Sequence, residues 1–143
     1  MQIVSVKKRL AASAAVVWKI VSQGDGVDRW LPAIATCRLD GTGVGARRFC
    51  TTNQKQELEE TIEAIDHTNR IFQYRIDRQD MLPTSNVRGT MYVSEDGAGQ
   101  AEVLWFLNYD LVDASAADAV RAGISELYAA GLAGLERLGR EMQ

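Results

Sequence analysis

With 143 residues, 46% hydrophobic and 24% charged, the chain has the size and composition of one globular domain, residues 1–143, built on a single core. Sixteen Lys and Arg against nineteen Asp and Glu give a net charge of −3, which leaves no positive excess to neutralise a phosphate backbone and argues against a nucleic-acid partner. Two cysteines and one histidine are too few for a Cys/His zinc site or a disulfide framework, so no metal and no cofactor is expected and stability must come from burial.

Gln2 to Leu10 alternates as a strand does, with Ile3, Ser5 and Lys7 on one face and Val4 and Val6 on the other. Up to Ile20 there is no uninterrupted apolar run of the kind a signal peptide or a membrane span needs, which predicts a cytoplasmic protein without a membrane span. Ser13 is placed to cap a short helix carrying Val17, Ile20 and Val21, with Gly24 at its end. Asp28-Arg29-Trp30-Leu31-Pro32 predicts one more helical turn, stopped by the proline. Six strands follow at regular spacing: Ala33 to Leu39, Ala46 to Thr52, Gln56 to Ile65, Ile71 to Arg78, Asn86 to Ser94 and Ala101 to Val112. Glycine, asparagine and proline clusters, among them Asp40-Gly41-Thr42-Gly43 and Glu95-Asp96-Gly97-Ala98-Gly99, mark the turns. The chain closes with a long helix, for which Ser115 and Asp118 predict a capping box. Val120, Ile124, Leu127, Gly131, Leu135, Leu138 and Met142 form its apolar stripe.

This order defines an α+β class: a curved, seven-stranded antiparallel sheet wrapped around one long C-terminal helix, with two short helices after the first strand. A twisted sheet cannot lie flat along a whole helix, so a cavity between the two is expected.

A hairpin centred near residue 54 sets Arg48 opposite Glu60 on the same face. Facing inward, they would be the polar anchors of an apolar pocket; facing outward, they would be a surface ion pair. Tyr74, Trp105 and Tyr109 fall on strands, the latter two in phase with Val103, and either line a cavity or fill the core. Trp30, at a helix-to-strand junction, has the same two readings. The strand Asn86 to Ser94 is in conflict with itself. Val87, Met91 and Val93 ask to face inward, whereas pairing with an inward Trp105 asks this of Arg88, Thr90 and Tyr92, and a bulge would reconcile the two. Cys37 and Cys50 oppose each other across a glycine hairpin and read as small apolar packers, His67 as a solvent-exposed turn residue, and Glu57, Glu59 and Glu63 as a solvated face. Gly41-Thr42-Gly43-Val44-Gly45 joins two strands with no helix behind it, so it does not read as a phosphate loop.

In sequence, the pieces Ala15-Val16-Val17-Trp18-Lys19-Ile20, Trp30-Leu31-Pro32, Cys37-Arg38-Leu39, Gly45 with Arg48, and Glu60-Thr61-Ile62 with Asp66 and Tyr74 are followed by Leu82-Pro83, Val103-Leu104-Trp105, Gly131-Leu132 and Leu135-Glu136. Their order and spacing resemble the START and birch-pollen-allergen-like (SRPBCC) superfamily of helix-grip proteins, in its bacterial polyketide cyclase/dehydrase-like branch. The resemblance spans essentially the whole chain. Ala12-Ser13 stands where that family usually has a proline, and Phe106-Leu107 where it has a more polar segment. It implies a pocket for a small hydrophobic or aromatic molecule, held or carried, with Trp30, Arg48, Glu60, Tyr74, Trp105 and Tyr109 as the lining. The alternatives are a cofactor-independent cyclase or dehydratase, and a protein-interaction module with a vestigial pocket. In the enzyme, Glu60 moves a proton and Tyr74 or Arg48 steadies the developing enolate. Sheet edges offer a place for a homodimer to form, though no residue requires one.

Overall fold

The computed structural model describes residues 1–143. Strand β1 (Gln2–Ser13) leads into helix α1 (Ala14–Ser22) and a 3₁₀ turn, Val27–Arg29. Six strands follow: β2 (Ile34–Asp40), β3 (Arg47–Thr52), β4 (Glu57–Asp66), β5 (Ile71–Gln79), β6 (Thr84–Glu95) and β7 (Gln100–Leu111). A second 3₁₀ turn, Ala114–Ala116, opens helix α2 (Ala117–Glu141). The strands make one antiparallel sheet in the order β1-β7-β6-β5-β4-β3-β2, so every connection is a hairpin except the one that carries α1 from one edge to the other.

Ser13 ends β1 and caps α1, its hydroxyl accepting from the Val16 amide at 3.1 Å, as its position before Val17, Ile20 and Val21 predicts. β1 is three residues longer than the expected Gln2 to Leu10, because a register shift between Arg9 and Ser13 carries it around the end of α2. The expected helical turn at Asp28 to Pro32 is instead the short Val27–Arg29 3₁₀ turn. Trp30 leaves it with φ at −133°, a conformation that releases the chain toward β2.

Two details of α2 differ from expectation. The Ser115/Asp118 capping box does not form: Asp113 accepts from both the amide and the hydroxyl of Ser115 and caps the 3₁₀ turn, so the helix proper starts at Ala117 without a side-chain cap. The apolar stripe also drifts with the 3.6-residue period. Tyr128 and Leu132 are buried, Leu127 is half-buried and Met142 is exposed.

The conflict over β6 resolves in favour of Val87, Met91 and Val93, all buried, with Met91 directly across from Trp105. The β6–β7 hairpin turns through three residues, Gly97 to Gly99, between the hydrogen-bonded Asp96 and Gln100, and Gly99 takes a φ of +81°. An odd loop with a left-handed glycine shifts the register by one residue relative to an even one, and with it the face each β6 side chain meets.

Inside the curve, 32 hydrophobic residues from the sheet, α1 and α2 form one continuous core. Val103, Trp105, Leu107 and Tyr109 of β7 are all buried. No helix is long and apolar enough to cross a membrane.

Candidate functional site

Arg48 and Glu60 are register partners on β3 and β4 and point into the sheet's concave side, with both side chains nearly inaccessible, 7% and 6%. Arg48 Nε donates to Glu60 Oε1 at 2.7 Å and Nη1 donates to the Gly24 carbonyl at 2.9 Å. Gly24 can offer that carbonyl because it sits past the end of α1 at φ +80°, with a Cβ there falling 2.6 Å from Ile62 Cδ1. Burial works against the Arg48 charge, yet the carboxylate of Glu60 more than offsets it and the guanidinium stays protonated more firmly than in water. Neither Arg48 Nη2 nor Glu60 Oε2 has a hydrogen-bond partner in the protein.

Beside the pair stands an aromatic cluster. The Arg48 guanidinium lies 5.1 Å from the centre of the Tyr74 ring. Tyr74 Oη accepts from Trp105 Nε1 at 3.1 Å and is 3.0 Å from Tyr128 Oη. Trp105 stacks on Tyr128 at 3.7 Å and meets Trp30 edge-on at 5.5 Å. Burial, reinforced by the nearby Glu60 charge, pushes the Tyr74 phenol up to about 12, and burial raises Tyr128 well above the ordinary value. Both phenols are therefore neutral groups that donate or accept, not bases, around neutral pH.

These residues wall two adjoining interior spaces. One, with about 40 Å³ of room for water centres, has Trp30, Arg48, Glu60, Tyr74 and Trp105 among its lining. The other, of about 80 Å³ on the same measure, is bounded by Ile76, Met81, Leu82, Leu107, Ile124 and Leu127. Leu31, Leu58, Glu60, Tyr74 and Trp105 belong to both linings, so they form the partition between a polar-headed chamber and an apolar one. A few ordered waters fit the first, and each space by itself is smaller than the roughly 150 Å³ cavity that admits a benzene ring.

Five of the six residues expected to line a pocket are thus gathered at one place: Trp30, Arg48, Glu60, Tyr74 and Trp105. Tyr109 is not with them; it is buried, 1% exposed, but lines neither chamber. Tyr128 and the Gly24 carbonyl were missed. Tyr128 lies four residues after Ile124 and so was visible as part of the helical stripe, whereas a backbone carbonyl leaves no mark in a sequence.

Elsewhere, Cys37 and Cys50 are register partners, and the interaction of their neighbouring thiols holds that of Cys37 below and that of Cys50 above the ordinary value. His67 is exposed, but its Nδ1 accepts from Trp18 Nε1 at 3.1 Å. Glu57, Glu59 and Glu63 pair with arginines along the outer face, including Arg88 Nε to Glu63 at 2.9 Å. No group of three or more His, Cys, Asp or Glu side chains gathers where it could hold a metal ion.

A family model described as polyketide cyclase / dehydrase and lipid transport matches residues 1–140. No curated protein matches the sequence. Among solved structures, the chain is similar to a Thermobifida fusca protein determined by solution NMR, at 26% identity over 98% of this chain and 95% of that one, with a TM-score of 0.85. The protein XoxI from Bacillus cereus shares 21% identity over 99% of this chain and 98% of its own, with a TM-score of 0.86. Norcoclaurine synthase from Thalictrum flavum, solved in complex with dopamine and hydroxybenzaldehyde, shares 17% identity over 99% of this chain and 88% of its own, with a TM-score of 0.81.

Proposed function

This chain belongs to the polyketide cyclase/dehydrase and lipid-transport family, and from that premise we propose that it binds a small hydrophobic or aromatic molecule between the sheet and α2. The observation that carries this reading is the buried Arg48–Glu60 pair beside an interior space. A buried ion pair adds little net stability compared with apolar residues of the same volume. Two of its polar atoms, Nη2 and Oε2, also lack protein partners. Such a pair is useful where something polar is to be oriented inside an apolar wall. The occupant would place a polar head against Arg48 and Glu60 and an apolar body along Leu107, Ile124 and Leu127.

Mass spectrometry of the purified protein under native and denaturing conditions tests this. A small molecule that stays with the folded chain and departs on unfolding supports it. Absence of extra mass, together with failure to bind any aromatic probe, removes it.

A second reading is favoured by one feature, the unpartnered Oε2 of Glu60. It could take a proton from a bound substrate while Arg48 faces the developing oxyanion, as a cofactor-independent cyclase or dehydratase requires. Glu60→Gln would then lower kcat far more than it weakens binding; an unchanged pH–rate profile would discard the assignment. The interaction-module reading calls for a filled interior, and the two chambers weigh against it.

A further inference from the structure

Cys37 and Cys50 stand directly across from each other on β2 and β3. Which kind of cross-strand site they occupy follows from the backbone. Thr52 N donates to the Gln56 carbonyl and Ile62 N to the Ala46 carbonyl, both at 2.9 Å, so the even-numbered residues of β3 turn their backbone groups toward β4. Asn53 N, at an odd-numbered position, donates the other way, to the Ala33 carbonyl just before β2, at 3.0 Å. Cys50 therefore shares no backbone hydrogen bond with Cys37. Theirs is a non-hydrogen-bonded pair, the type in which facing Cα atoms approach to about 4.5 Å and side chains come closest. That spacing falls within the range of about 4.4–6.8 Å over which a disulfide closes. β2 is also an edge strand, paired with β3 alone, so its free side permits the small adjustment that the bond needs.

The two thiols differ in access and in acidity. Cys37 is half-buried and Cys50 is buried, 3% exposed. Both border a cleft that is open to solvent at Thr36 and Arg38, and Cys50 also lines the Arg48–Glu60 chamber. The neighbouring Cys50 thiol, helped by the Arg48 charge, holds Cys37 below the ordinary value, so Cys37 is the first to ionise and the better placed to meet a small oxidant. We propose that this pair is an oxidation site, closed by hydrogen peroxide into a cross-strand disulfide and reopened by a dithiol. In the first step the Cys37 thiolate attacks a peroxide oxygen, the O–O bond breaks, and hydroxide leaves and takes up the thiol's proton, so that Cys37 becomes a sulfenic acid and one water forms. In the second, Cys50 gives up its proton and attacks the Cys37 sulfur, which expels its hydroxyl as a second water. What raises the Cys50 thiol is first of all Cys37, and that cause disappears once Cys37 is oxidised. The bond pins the edge strand to the sheet beside the chamber, and nothing in this chemistry depends on what the chamber holds.

The test treats the folded, reduced protein with hydrogen peroxide at neutral pH, unfolds it in N-ethylmaleimide and reads its intact mass. The expected product is a monomer lighter by two hydrogens that takes up no label, from which trypsin without reductant releases Trp30–Arg38 joined to Phe49–Lys55. Dithiothreitol should restore both thiols to labelling. Unchanged labelling after peroxide, a dimer joined between chains, a bond that dithiothreitol does not reopen, or Cys37 stopped at a sulfenic or sulfinic acid beside a free Cys50 each overturns the proposal. Two variants then read the order of attack. Dimedone, which traps sulfenic acids, should mark less than about a tenth of wild-type chains and most Cys50→Ser chains. Cys37→Ser should lose its remaining thiol to peroxide at least about tenfold more slowly than Cys50→Ser does, and equal rates would overturn Cys37 as the attacking thiol. The linkage itself is read on the wild type, so it is decided even if a variant fails to fold.

Discussion

Arg48 and Glu60 lie 2.7 Å apart in nearly inaccessible surroundings, and removing one of them isolates the other. Glu60→Ala should therefore lower unfolding stability by about 3–5 kcal/mol, whereas the double change Arg48→Met with Glu60→Leu should recover most of that loss or exceed the wild type. Urea midpoints decide it: a single variant within about 1 kcal/mol of wild type would mean that the Arg48 charge finds relief elsewhere. Tyr74 gives a pH dependence with a fixed sign. Its phenol is pushed up from 10.0 to about 12 in the fold, so the folded state holds the proton after the unfolded chain has released it. The stabilisation is fully present below about pH 10 and is lost as pH rises toward 12. The amount at stake is on the order of 3 kcal/mol. Melting temperatures recorded through that window should fall less steeply for Tyr74→Phe than for wild type, although the variant starts lower because Trp105 and Tyr128 lose their partner. At this scale the sequence was informative where geometry is simple. The parity of a short hairpin was enough to set Arg48 opposite Glu60, but the Gly24 carbonyl that Arg48 also reaches depends on how three elements meet, which no local spacing encodes.

At the scale of an element, α2 shows how one helix can carry two kinds of glycine. Gly134 faces the backbone of Trp30, where a Cβ would overlap the carbonyl carbon and oxygen; Gly123 faces open space. Gly134→Ala should cost at least about 2 kcal/mol net, because backbone cannot step aside as a side chain does and the gain in helix propensity is only about 1 kcal/mol. Gly123→Ala should have the opposite sign, stabilising by about 0.5–1 kcal/mol. Thermal or urea denaturation of the two variants side by side checks the argument, and similar effects at both would refute it. Periodicity made this helix legible over its length and blurred it at its start. Ser115 and Asp118 have the spacing of a capping box, but Asp113, upstream, reaches the Ser115 amide first and adds a 3₁₀ turn. All six strands from β2 to β7 were legible to within one or two residues, since turn residues punctuate them. The face of β6 was not, because it hangs on whether the loop from Asp96 to Gln100 turns through an odd or an even number of residues.

For the whole molecule, the order strand, helices, six strands, long helix leaves few ways to bury every apolar face, and the helix grip is the one observed. The interior volume was less legible, since it is the small remainder after large side chains have packed. If a ligand occupies it, saturation at a hundred times its dissociation constant should raise stability by about 2.7 kcal/mol, read as an upward shift in melting temperature that grows with ligand concentration. The partition between the chambers has a further consequence. Tyr74 sits across from Gly89 on β6, and its ring takes the space that any side chain at 89 would fill. The two positions therefore trade volume as a unit. A lineage that enlarges residue 89 must shrink residue 74 in the same step or soon after, and in doing so it would exchange two small rooms for one differently shaped hall, so that a new molecular guest could arise from two substitutions that leave the scaffold otherwise untouched.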